Sequence, residues 1–214
     1  MSGSPEHSLL MDRVYRRQRY IYDFTRKYYL FGRDRLIREL ALPPGARLVE
    51  IGCGTARNLV KIARRYPQAH LFGLDASQEM LKTAADTVRR AGLNGRISLA
   101  HGYAEDLSPA MFGESIPFDA CVFSYSLSMI PDWKKALNAA SQALAPAGRI
   151  HVVDFGDLAG LARLPRALML RWLAMFHVAP RMELLKSFER GNENALEVLP
   201  LRYAFLLTTG NRRF

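Results

Sequence analysis

The chain has 214 residues, of which 49% are hydrophobic, with 30 Lys plus Arg against 20 Asp plus Glu and 2 Cys. A chain of this length buries about 70% of the surface its unfolded form exposes, so one core suffices without a disulfide or structural metal, and the composition excludes a disordered or fibrous polymer. Cys53 and Cys121 sit in apolar runs and no cluster has metal-ligand spacing, so both read as reduced core residues and no metal is expected.

The opening MSGSPEHSLL has no basic flank leading into a long apolar stretch, and no run of about 18 uncharged apolar residues follows anywhere. Secretion and membrane spanning are therefore not expected; the reading is a cytoplasmic chain, peripheral at the inner face of the membrane. Residues 8–40 look helical and basic: positions 11–40 hold nine Lys or Arg against four acids. They are taken as an N-terminal helical cap (1–40), with the remaining chain (41–214) as one domain.

From residue 47 short apolar runs alternate with helical intervals. RLVEIGC (47–53) precedes a helix to about Arg65, HLFGLDA (70–76) precedes a helix over 77–91, and RISLAHG (96–102) follows. FDACVFSYS (118–126) and RIHVVDFG (149–156) flank the helical interval DWKKALNAASQALAPAG. Such alternation predicts a doubly wound α/β fold with a mostly parallel sheet covered on both faces. Residues 161–188 look helical, apolar and arginine-bearing, and RYAFLLTTG (202–210) reads as a last strand.

In an open α/β sheet the ligand lies beyond the carboxyl ends of the strands. The first run closes on Glu50, Ile51, Gly52, Cys53, Gly54, Thr55, where two glycines allow a tight turn and bare backbone can meet a ligand at the N-terminus of the next helix. Asp75 closes the second run 25 residues after Glu50, either accepting hydrogen bonds from ribose hydroxyls or capping the following helix, a role open to Ser77 as well. Arg57 stands where dinucleotide oxidoreductases place a third glycine.

The run Glu-x-Gly-x-Gly-Thr, with Asp75 and HGYAEDL (101–107), resembles the motifs of class I S-adenosylmethionine-dependent methyltransferases over residues 47–156. The resemblance implies a Rossmann-like seven-stranded sheet and S-adenosylmethionine as cofactor. It also implies that Gly52 and Gly54 approach the amino-acid part of the cofactor, that Glu50 supports the loop and reaches the cofactor ammonium, and that Ala76 lies beside the adenine. Tyr103 and Ala104 stand where the family has an acid followed by alanine, which passes the adenine amino contact to Glu105 or replaces it by ring packing. Ala56 stands where many members have glycine. Ser124 and Tyr125 follow the fourth strand at the transfer region, Ser124 against the cofactor and Tyr125 either against substrate or packed. Asp154 either steers a cationic substrate or caps its loop.

Tyr15, Arg19, Tyr22, Arg26 and Tyr29 share one helical face, as a packed stripe or as a cap over the cofactor in which tyrosine rings meet a cation and arginine meets a carboxylate. Tyr22 with Asp23, and Gly32 with Arg33, resemble the cap of the quinone-biosynthesis methyltransferases, where the tyrosine and the post-glycine basic residue lie near the cofactor. The wider run QRYIYDFTRKYYLFGRDRLI is similar to the bacterial diacylglyceryl-homoserine N-methyltransferases, which make the betaine lipid diacylglyceryl-trimethylhomoserine. That resemblance implies a lipid substrate, Arg26 or Arg19 for its carboxylate, and Tyr22, Tyr29 or Tyr125 for the growing methylammonium.

A helix following Pro165 alternates apolar residues with Arg166 and Arg171, which suits either an anionic membrane surface or an ordinary buried helix. A partner enzyme that builds the headgroup is a further expectation. Quinone-precursor C-methylation and phosphatidylethanolamine N-methylation are alternatives on the same fold. A non-catalytic membrane or RNA binder is another, though no aromatic-basic RNA motif is visible and nucleic acid is not an expected partner.

Overall fold

The computed structural model describes residues 30–190, 196–210 and 214. The positions Tyr15, Arg19, Tyr22, Arg26 and Tyr29 named above lie outside the described residues.

Among the described residues seven strands form one sheet: β1 (Arg47–Ile51), β2 (His70–Asp75), β3 (Ile97–His101), β4 (Phe118–Ser124), β5 (Leu144–Phe155), β6 (Leu196–Val198) and β7 (Ala204–Gly210). Their order is β3-β2-β1-β4-β5-β7-β6. The first five pair in parallel, β7 runs antiparallel to β5 with Val152 opposite Leu207, and β6 runs antiparallel to β7. The helices are α1 (Arg33–Glu39), α2 (Arg57–Arg65), α3 (Gln78–Arg90), α4 (Trp133–Ala143), α5 (Arg163–Met175) and α6 (Met182–Arg190).

Helices cover both sheet faces, so the central strands are apolar at nearly every position instead of alternating with polar residues. Leu48, Val122, Val153 and Leu206 face one core with Leu59 and Ile62 of α2 and Leu36 of α1. Val49, Ile51, Phe123, Val152 and Phe205 face the other with Leu137 of α4 and Phe188 of α6. Successive residues of a strand pointing to opposite faces explain the split within single strands.

Local sequence sets the boundaries. Ser77 caps α3, its Oγ accepting from Met80 N at 3.3 Å, and Asp132 caps α4 by accepting from Lys135 N at 3.3 Å. The expected strand starting at Arg149 begins instead at Leu144: Pro146 has no amide hydrogen to continue α4, and Leu144 pairs with Phe118 across a register shift. The expected helical stretch 161–188 is two helices, interrupted where His177 takes a left-handed φ of 58° and Pro180 follows. Pro165 lies in the first turn of α5, which begins at Arg163. Cys53 and Cys121 are buried free thiols, and burial raises both thiol pKa values.

Candidate active site

The carboxyl end of β1 turns sharply because Gly52 and Gly54 take φ of 72° and 54°. Gly52 N and Cys53 N both donate to Leu74 O, at 2.8 and 3.1 Å, pinning the turn to the end of β2. A Cβ at position 52 would lie 2.5 Å from Ser126 Cβ, whereas one at position 54 meets nothing within 4 Å. Ser126 in turn donates to Ile51 O at 2.7 Å, so the turns after β1 and β4 are locked together.

Asp75 joins the turns after β1 and β2. One carboxylate oxygen accepts from Gly54 N at 2.8 Å and the other from Ser77 N at 2.9 Å. Ser77 supplies the helix cap for which Asp75 is the alternative, and the Asp75 carboxylate stands at the strand end where a diol would bind.

Glu50 is buried beneath this turn. Its Oε1 accepts from Asn58 Nδ2 at 2.7 Å, and the same amide donates to Ser124 Oγ at 3.1 Å. Asn58, the second residue of α2, is held by Arg57, whose Nη1 donates to its Oδ1 at 3.0 Å. Among the described residues Glu50 Oε2 is buried without a partner. Burial lifts the Glu50 carboxyl to about 7, against the opposing pull of the Asn58 hydrogen bond and of Arg33 and Arg57.

Glu50, Gly52, Gly54, Asn58, Arg33, Leu30 and Ser124 line one cavity of about 380 Å³. An unsatisfied carboxylate and a guanidinium on the wall of one cavity, with bare backbone between them, fit a ligand bearing both an ammonium and a carboxylate, as the methionine tail of S-adenosylmethionine does. Arg33 is positioned by its own donation to Leu30 O at 3.2 Å. The next residue, Asp34, ties α1 to α2 through Lys61 at 2.8 Å and Arg57 at 3.3 Å. Burial works against ionisation of Asp34, but those two cations outweigh it and hold its pKa below the usual value.

Of the expected cofactor residues, Arg33, Glu50, Gly52, Gly54 and Ser124 therefore meet at one cavity. Asp75, Ala76, Tyr103, Ala104 and Glu105 form a second group at the ends of β2 and β3. There Gly102 N donates to Asp75 O at 3.1 Å, a His101 ring nitrogen lies 3.1 Å from Ala76 O, and Tyr103 precedes a 3₁₀ turn at Ala104–Asp106. Ala104 is buried in the core beside α4, while Tyr103 and Glu105 are half-buried.

For Tyr125 the structure favours packing over substrate contact. Its φ is 56°, its ring packs edge-on against Phe155 with centroids 4.7 Å apart, and its hydroxyl donates to Phe31 O at 2.6 Å. Burial pushes the phenol pKa well above its ordinary value. Asp154 is a loop brace and not a steering charge: fully buried, it accepts from Ser128 N at 2.8 Å and from Phe155 N at 2.7 Å. His151 lies inside β5 beside Thr208, and burial lowers its pKa to about 4. Sequence reasoning missed Asn58, whose only signal is an amide at the second position of the helix after the glycine turn.

Two glycine substitutions separate folding from binding. Gly52→Ala combines a left-handed backbone with a clash and should cost about 2–4 kcal/mol, lowering Tm by on the order of 10 °C. Gly54→Ala carries strain alone, about 1 kcal/mol, yet should weaken S-adenosylmethionine binding about tenfold or more in calorimetry, because its methyl enters the space the ligand needs. Equal losses of stability in the two variants would contradict this division.

Glu50 also sets a pH dependence. Its folded pKa of about 7 lies above the ordinary 4.5, so its stabilising contribution is complete below about 4.5 and is lost as pH rises through 7. Glu50→Gln removes that slope. Urea denaturation should show the variant gaining on the wild type by on the order of 3 kcal/mol between pH 4 and pH 8.

A family model described as a methyltransferase domain matches residues 48–148. The chain is 31% identical over 210 residues to a ubiquinone/menaquinone biosynthesis C-methyltransferase UbiE of Syntrophotalea carbinolica, covering 92% of this chain and 81% of that protein. It is 28% identical over 129 residues to a demethylmenaquinone methyltransferase of Listeria welshimeri, covering 60% of this chain and 52% of that one. Among solved structures, the S-adenosylmethionine-dependent methyltransferase SibL superposes with a TM-score of 0.65 at 21% identity, over 90% of this chain and 58% of that one, a likeness of fold. With this relative, the strand order and the glycine turn with its buried acid, the chain belongs to the class I S-adenosylmethionine-dependent methyltransferases.

Proposed function

We propose that this methyltransferase methylates the amine of a lipid headgroup, that of diacylglyceryl-homoserine, three times in succession. What supports the reading is the position of the run that resembles the betaine-lipid enzymes. Its described portion starts at Leu30 and Phe31; Leu30 and Arg33 line the cavity wall, and Phe31 O receives the Tyr125 hydroxyl. The segment whose sequence points to an amine acceptor thus adjoins the cavity suited to the methyl donor.

The chemistry is compatible with these side chains. S-adenosylmethionine supplies an electrophilic methyl group on a sulfonium. Glu50 and Arg33 would hold its zwitterionic tail, Asp75 would accept from the ribose, and the glycine turn would keep side chains out of the way. A neutral amine would form the new N–C bond as the C–S bond breaks, the sulfur keeping that electron pair, and the ammonium proton would leave afterwards to water. Alignment and exclusion of water then supply most of the acceleration. Asp154, His151 and Tyr125 are each committed to structural contacts, which suits a nucleophile that needs no proton removed during attack.

A second reading, C-methylation of a polyprenylated quinone precursor, is favoured by the activities for which the relatives above are named. One assay separates the two. The protein is incubated with labelled S-adenosylmethionine and, in parallel, diacylglyceryl-homoserine, phosphatidylethanolamine or a demethyl-quinone. The proposal expects label in the homoserine lipid, with products bearing one, two and three added methyls. Label confined to the quinone extract replaces it with the second reading. Arg26→Ala should lower kcat/KM for the homoserine lipid by about tenfold or more with unchanged Tm, as expected for loss of an arginine–carboxylate contact; unaltered kinetics would remove Arg26 from the site.

A further inference from the structure

No helix among the described residues is long and apolar enough to cross a membrane, yet α5 turns an apolar stripe outward. Leu164, Leu168 and Met175 are 71%, 61% and 68% exposed. With Arg171 they follow spacings of four, three and four, which puts all four on one helix face. The opposite face carries the buried Leu173. Leu201, 58% exposed, extends the patch at its leading end, where Gly160 N donates to Leu201 O at 3.3 Å.

Charge determines what this face fits. From residue 158 to 182 the chain has four arginines and no Asp or Glu. Arg163 and Arg171 are exposed and make no hydrogen bond or ion pair among the described residues. Apolar side chains flanked by unpaired guanidinium groups match a bilayer surface of anionic lipid: the former enter the headgroup boundary and the latter meet phosphate. A protein partner would need acidic groups set against both arginines and a groove for the stripe, whereas a fluid lipid surface adapts to them.

Position adds to this. Helix α5 follows the carboxyl end of β5, the sheet end that carries the cavity. The chain leaving α5 is fastened to the turn after β4, with Ala179 N donating to Ser128 O at 2.9 Å and Arg181 Nε to Leu127 O at 3.0 Å. We infer that the outer face of α5 docks the protein on an anionic bilayer, with the active-site end of the sheet toward the lipid. The inference concerns attachment and stands apart from the identity of the methyl acceptor.

The test uses the full chain without methyl donor and vesicles of phosphatidylcholine, alone or mixed with phosphatidylglycerol. Co-sedimentation should be strong only with the mixed vesicles and should fall as salt is raised. Arg163→Ala with Arg171→Ala should weaken binding by roughly five-fold per arginine. Leu164→Ser, Leu168→Ser and Met175→Ser together should weaken it at least about tenfold. All five positions are exposed, and an unchanged melting temperature certifies the fold.

A second measurement does not rely on loss of binding. Because both native thiols are buried, Leu168→Cys can carry a single polarity-sensitive dye, whose emission should shift to the blue on mixed vesicles. Wild-type protein that ignores anionic vesicles, binding that survives the triple substitution, or a dye that reports no change each overturns the inference. So does a triple variant that turns a dimer into a monomer, since the face then joins two copies of the chain.

Discussion

The site depends on one carboxylate that belongs to two turns at once. Asp75 ends β2, yet it accepts from the backbone of the glycine turn after β1 as well as from the start of its own helix connection. Two left-handed glycines would otherwise leave the loop loosely determined, since glycine loses the most conformational freedom on folding. A charged acceptor on a neighbouring strand offsets that cost and fixes the direction of the Gly54 amide. Beneath it the Glu50–Asn58–Ser124 chain performs the same service for the strands β1 and β4. One oxygen of Glu50 is left unsatisfied among the described residues, as expected of a group kept for a ligand.

Much of this was legible in the sequence because it is local. The apolar runs ending at Ile51, Asp75 and Ser124 mark strands buried on both faces, the run ending at His101 marks the less buried edge strand, and glycines at 52 and 54 mark the turn. What was not legible depends on contacts across the fold. Strand β6 is three residues, Leu196–Val198, too short for alternation to register, and exists because β7 supplies its hydrogen bonds. Asn58 reads as an ordinary helix residue until β4 brings Ser124 to its side chain. Tyr125 occupies a backbone region that costs a non-glycine residue about 1–2 kcal/mol, and distant partners, Phe31 O and the Phe155 ring, account for the residue found there.

The same distinction governs the function. The donor side rests on backbone turns and short-range acids, so it follows from motif and geometry together. The acceptor has to enter the same cavity, whose described wall on the N-terminal side is made by Leu30 and Arg33. A fold shared with UbiE relatives is compatible with a different nucleophile, because one fold hosts many activities and the acceptor is set by the side chains around the site.

The far edge of the sheet has its own consequence. Strand β6 offers few unpaired backbone groups, and its middle residue, Glu197, is held by Arg35 of α1. A short, charged border gives a neighbouring molecule little to add a strand to. Chains packed side by side at high local density can therefore remain separate instead of polymerising through their sheets.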